Sequence, residues 1–259
     1  MTAILIFFFA HWYLSLFSQT FYLHRYSAHK LFTMNKFWEK FFYLFTYITQ
    51  GSSFLSPRAY AILHRMHHAY SDTPQDPHSP HNTNNLFKMM WDTKNIYNDY
   101  FAYTRKPEDR FSKDIPQWRF IESLGDTWMS RMGWGTIYVL FYLYFVPAGM
   151  WYLYLLLPIH FLMGPVHGAV VNWCGHMYGY SNYDNNDKSK NSLVFDLVMG
   201  GELFQNNHHK NPLSSNFASK WFEFDPTYPV IKMLSALRII KMAPGIPIEM
   251  PHHIKAKAA

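Results

Sequence analysis

Two long stretches of this chain carry no formal charge. Met1 to Leu23 contains no Asp, Glu, Lys or Arg, and neither does the run from Met132 to Tyr183. A helical crossing of a bilayer needs about 20 mostly apolar residues, and both stretches are long enough to supply one. The apolar part of the second, Trp134 to Val171, is interrupted by Pro147-Ala148-Gly149, which predicts a helix, a tight turn and a second helix. All 23 Lys and Arg lie between Leu23 and Arg131 or after Tyr183. By the positive-inside rule both of these blocks face the cytoplasm. The expected architecture is an all-α integral membrane domain over residues 1–259. It crosses the membrane three times, at about residues 1–23, 133–147 and 149–171, with the N-terminus outside and residues 24–132 and 172–259 forming a cytoplasmic helical cap.

Composition supports a chain half in and half out of the bilayer. Charged residues make up 15% and aromatic residues 20%, whereas a soluble domain carries about a quarter charged residues; the mean hydropathy of −0.18 is nevertheless too low for a protein that is all membrane. Phe37 to Leu55 is aromatic-rich but includes Glu39 and Lys40, so it is expected to lie in the membrane interface. Met1 to Leu23 lacks a basic leader and a small-residue cleavage site, which favours an uncleaved anchor over a signal peptide. The single cysteine, Cys174, excludes an internal disulfide. Polar stretches at Asp72–Asn85, Arg105–Pro116 and Tyr183–Asn191 are expected to be loops.

The chemistry is carried by histidines. His64, His67 and His68 stand at i, i+3 and i+4 of a helical pattern, so their imidazoles share one face. Three further clusters fall in the cytoplasmic blocks or at their edges: His24 with His29, Asn172 with His176, and Gln205 with His208 and His209. Five residues on a regular helix separate His24 from His29 by about 140°, so they can meet at one centre only if the helix frays or bends. Gln205 stands where His64 does in the equivalent spacing and makes that corner weakly bound, water-bridged or empty. Metal-bound imidazoles usually give their second N–H to a carboxylate or carbonyl, and Asp72, Asp76 and Glu202 are placed for that role. His78 and His81 are read as loop histidines, and His160 and His167 as packed within the bundle.

Eight histidines exceed the four to six ligands of one first-row ion, which implies two ions. Imidazole suits Zn, Cu, Fe and Ni alike. A dinuclear site at the rim of an aromatic bundle, without a hydrolytic signature, favours an O₂-activating metal, hence iron.

The order HxxxxH, HxxHH, NxxxH and (H/Q)xxHH resembles the membrane-bound fatty acyl desaturases of the stearoyl-CoA Δ9 type. The likeness extends to Asp76-Pro77-His78, Gly201-Glu202, Trp221 and Asp225-Pro226-Thr227, and covers about Phe21 to Ile240. It implies two iron ions held by His24, His29, His64, His67, His68, His176, His208 and His209, with Asn172 acting through a water. It also implies O₂ as co-substrate, an acyl-CoA or other acyl-carrier substrate, and electrons from a small redox protein of ferredoxin or cytochrome b5 type. The sequence departs from the family pattern at Gln205, and it is expected not to contain the helix that stands before the one ending in HxxxxH in the family's four-span core. Membrane lipid is an expected partner and nucleic acid is not. Against the alternative of a membrane di-iron hydroxylase stand the HxxxxH spacing, where hydroxylases commonly have HxxxH, and the presence of Asn172 and His176. A non-catalytic metal-binding membrane protein would place its ligands within the bundle, whereas most lie in the cytoplasmic segments.

Overall fold

A computed structural model describes residues 1–245; the end of the expected C-terminal block, 172–259, lies outside the described residues. The chain opens with α1 (Thr2–Phe17), which continues without a break into a π-helix, Ser18–Ala28. A short strand β1 (Phe32–Thr33) leads to α2 (Lys36–Gln50) and, after a 3₁₀ turn, to α3 (Pro57–Tyr70). Next come α4 (Leu86–Phe101), α5 (Asp109–Ser112), α6 (Arg119–Asp126) and α7 (Trp128–Phe145). A 3₁₀ segment, Trp151–Leu156, precedes α8 (Leu157–Phe161) and α9 (Met163–Met177). The chain then builds α10 (Gln205–Lys210), α11 (Thr227–Ala236) and β2 (Lys241–Met242). Antiparallel pairing of Phe32 with Met242 and Thr33 with Lys241 fastens the C-terminal side to the exit of the π-helix.

Local sequence explains where the central helices start. Ser56 caps α3 by accepting from the Ala59 N–H at 3.3 Å, with Pro57 at the first helical position, where a missing N–H costs nothing. Asn35 and Asn85 cap α2 and α4 in the same way, accepting from Trp38 and Lys88 at 3.0 Å. The core between α3 and the π-helix is fixed by Arg65, a fully buried side chain. Its guanidinium donates to the carbonyls of Ala28 at 2.8 Å and Ser27 at 3.1 Å on one side, and of Lys113 at 2.6 Å on the other.

Among the described residues, the continuous run Thr2–Ala28 is long and apolar enough to cross a membrane, and the bent pair Trp151–Phe161 with Met163–Met177 passes the same test together. The predicted span 149–171 is not a straight helix: it bends by 76° at Leu162. Pro158 and Pro165 explain this segmentation, because each removes a backbone N–H and is tolerated only near a helix start. The predicted span 133–147 lies almost wholly in α7, whose Ile137, Leu140, Leu143 and Tyr144 project outward. Helix α2 is about 22 Å long at 1.5 Å per residue, short of the roughly 30 Å hydrocarbon core. It buries Phe42, Tyr43, Thr46 and Thr49 and exposes the stripe Phe37, Phe41, Leu44, Ile48.

Candidate metal centre

The π-helix resolves the spacing of His24 and His29. Its hydrogen bonds run from residue i+5 to residue i, as in His29 N–H to the His24 carbonyl at 3.1 Å. Residues five apart therefore come together without the helix fraying, and the two rings lie 5.0 Å apart. His64 and His68 reach them from the facing side of α3, and His208 from α10.

The five side chains make one buried pocket in which every ligand atom lies within 4.8 Å of the others. Their Nε2 atoms form a chain of close approaches: His29 to His64 at 2.7 Å, His64 to His68 at 3.0 Å, His68 to His208 at 2.9 Å and His208 to His24 at 3.0 Å. Nitrogens bound about 2.1 Å from one ion at right angles would stand about 3.0 Å apart, so the spacing fits a common ion. Burial, reinforced by the neighbouring imidazoles, pushes His29, His64, His68 and His208 well below the usual histidine range. They are neutral at pH 7, the form that ligates.

A second pocket adjoins the first. His67, His176 and His209 bring their ligand atoms within 4.8 Å of one another, with the His67 and His209 Nε2 atoms 3.2 Å apart. Among the described residues the buried Nε2 of His176 has no hydrogen-bond partner, nor do the Nδ1 atoms of His29 and His208. Native interiors rarely leave such atoms unpaired. An inward-facing set of imidazole lone pairs satisfies the orphan on His176 if a cation sits among them, so the residues fit a metal.

Carboxylates back four of the eight imidazoles. Glu202 accepts from the His24 Nδ1 at 2.5 Å, Asp76 from His67 at 2.8 Å and Asp72 from His176 at 3.0 Å. Asp72 thus serves a histidine distant in sequence rather than the neighbouring HxxHH box. The fourth partner is Asp187, which accepts from the His209 Nδ1 at 2.7 Å. Nothing in the sequence marked Asp187, because it sits in a polar loop without periodicity. His78, read as a loop histidine, is buried: its ring lies 4.4 Å from that of His67, its Nε2 is unpartnered, and with His67 and Asp76 it forms a third group of close ligand atoms. His81 gives a ring N–H to the His176 carbonyl at 3.1 Å.

Gln205 is buried at the start of α10 and spends its amide N–H on the Glu202 carbonyl at 2.7 Å. Its side chain packs on Gly175, where a Cβ would come within 2.4 Å of the Gln205 Cγ. The glutamine therefore lies against the end of α9 beside His176, and Asn172 lies one turn earlier on the same helix, partly exposed. The turn that delivers Glu202 depends on Gly201 at φ +91°, whose missing Cβ leaves room for the Asp225 carboxylate. His160 is remote from this constellation. It shares a 2.6 Å contact with His11 and a 2.9 Å hydrogen bond with Tyr142, while His167 packs against Trp12.

Residues 1–237 match the family described as Fatty acid desaturase. The chain belongs to that family. This desaturase-family chain is 30% identical to an sn-1 stearoyl-lipid 9-desaturase of Synechocystis over 84% of its own length and 64% of the relative's. It is 27% identical to an acyl-CoA 5-desaturase of Anemone leveillei, covering 85% of this chain and 65% of the relative. A hex-5-enoyl-[acyl-carrier protein] acetylenase of Moorena producens matches at 25% identity over 88% and 73%. The chain thus spans slightly less than two thirds of the length of the first two of these relatives.

Proposed function

We propose that the chain is an O₂-dependent di-iron acyl desaturase of the membrane, acting on a saturated acyl chain at Δ9, with acyl-CoA as carrier. The observation that carries this reading is the pair of adjoining imidazole pockets in a desaturase-family chain. His24, His29, His64, His68 and His208 would hold one ion, and His67, His176 and His209 the other. Asn172 would act on the second ion through a water, and Gln205 would be a weak ligand position beside it. Bound iron supplies the O₂-activating redox chemistry that removes two hydrogens from adjacent carbons.

The protein's own contribution is positional. Each carboxylate that takes an Nδ1–H fixes the tautomer of its imidazole and turns the Nε2 lone pair inward. Burial of all eight rings keeps bulk water from the centre. The outward apolar faces of α1 and α7, such as Ile6, Phe9, Leu140 and Leu143, are consistent with segments in the bilayer of a single three-crossing domain, and the placing of every Lys and Arg between Leu23 and Arg131 or after Tyr183 favours the N-terminus outside and the centre on the cytoplasmic face. The basic balance of +6 suits an acidic ferredoxin or cytochrome b5 type donor and the phosphates of coenzyme A.

The test is expression in a host without desaturase activity, with iron loading confirmed and fatty acids analysed by mass spectrometry. A new monounsaturated acid is expected, absent with His67→Ala. No new unsaturated species from the iron-loaded protein would sink the reading. Because the named relatives differ in bond position and carrier, the position of the double bond in the product decides Δ9 against the others.

A further inference from the structure

The two pockets differ in charge as well as in the number of imidazoles. In the three-imidazole pocket His67, His176 and His209 each donate to a separate carboxylate, those of Asp76, Asp72 and Asp187. The other partners of these carboxylates are neutral. Asp72 accepts from the Ser79 hydroxyl at 2.6 Å and the Lys188 N–H at 2.8 Å, Asp187 from the Ser189 N–H at 3.0 Å, and Asp76 from the N–H groups of Asp72 at 2.8 Å and His78 at 3.0 Å. Among the described residues, only His24 of the five-imidazole pocket has a carboxylate, and Glu202 shares the Arg25 guanidinium, at 3.2 Å, with Asp225, at 2.7 Å. Among the described residues, one pocket is therefore flanked by three carboxylates without a paired cation, the other by one that shares the Arg25 guanidinium with Asp225.

Fixed negative charge in a dry interior favours the more highly charged form of a bound ion, because little water is present to screen it. We propose that Asp187, with Asp72 and Asp76, makes the three-imidazole pocket the half of the pair that retains the higher oxidation state. With iron bound and a one-electron reductant such as dithionite supplying the electrons and itself oxidised, the first electron would reduce Fe³⁺ to Fe²⁺ among His24, His29, His64, His68 and His208, and the second would do so among His67, His176 and His209. The inference rests on the two-ion reading above and adds an order to it. Asp187 is a positioning residue acting through His209, and its loop also supplies the Lys188 N–H to Asp72, so two of the three charges depend on one segment.

The test uses the full chain loaded with iron-57 and reduced stepwise with dithionite, followed by Mössbauer spectroscopy and metal analysis. Wild type is expected to bind two irons and to show two separate one-electron steps. Asp187→Asn keeps an acceptor oxygen but removes the charge: the second step should move to higher potential, the first should stay, and one iron should bind about 10–100-fold more weakly. Glu202→Gln should instead move the first step. Asp187→Glu should hold the second step near its wild-type position, which a purely structural role would not. If Asp187→Asn loses one ion altogether, the ion left behind must titrate at the first step; titration at the second would overturn the inference. So would an Asp187→Asn protein with two irons in which the first step moves or neither does. Fewer than two irons in wild type overturns the two-ion reading itself, and this inference with it.

Discussion

The two imidazole pockets sit side by side but are built by different means. Most of the five-imidazole pocket stands on the π-helix and α3, two regular elements locked together by Arg65, and Arg25 ties the π-helix to Glu202 and Asp225. The three-imidazole pocket takes its histidines from the ends of three helices and its supporting carboxylates from two loops. Regular elements place donors by backbone geometry, whereas loops must be held by many small polar contacts. The first pocket has ligands to spare for one ion, and the second has none.

The largest expected effect of a single substitution tests the frame of the first pocket. Arg25→Met leaves Glu202 and Asp225 buried without their common cation, and removing one partner of such a buried network costs about 3–5 kcal/mol. Denaturant unfolding of the purified protein reads this loss; a change under 1 kcal/mol would mean that the frame does not depend on Arg25.

Acid should discriminate next. His29, His64, His68 and His208 stay neutral in the metal-free fold because burial holds them well below the usual range, but in the unfolded chain they take up protons below about pH 6.5. The unfolded state then binds more protons, so stability falls as the pH drops from about 6.5, by about 1.4 kcal/mol per pH unit for each such histidine. Thermal melts of the apoprotein between pH 7 and 5 check this. A flat profile would break the picture of a dry, neutral pocket.

Ligand number predicts a third contrast. His208→Ala still leaves four imidazoles in its pocket, whereas His209→Ala leaves two. The second variant should lose one iron, with affinity falling by at least about 10–100-fold, while the first retains two by metal analysis. Equal losses would erase the distinction between the pockets. The smallest effect is expected from Gln205→His, which offers the poorer pocket a fourth imidazole and should tighten its iron in a chelator competition. Unchanged iron content and activity would show that position 205 is not a ligand position.

The histidine spacings made much of the site legible, because an i, i+3, i+4 pattern fixes one helix face wherever the helix lies. Charge-free runs did the same for α1 and α7. Other features were not readable. A π-helix has the same composition as an α-helix, so the alignment of His24 with His29 shows only in the i+5 hydrogen bonds. The bend at Leu162 follows from Pro158 and Pro165, yet proline alone does not say whether a helix kinks or ends. Asp187 and His78 sit in loops, where contact partners bear no relation to sequence separation.

The sequence by itself determined which side chains could bind metal and which segments could lie in a bilayer, since spacing on a helix and the cost of burying charge are local properties. Only the tertiary structure decided how the eight histidines divide into five and three and which carboxylate stands behind each ring. It also decided that three carboxylates back one pocket, while the single one behind the other shares Arg25 with Asp225. Those outcomes depend on which segments meet in space, and a pattern read along one chain does not contain that information.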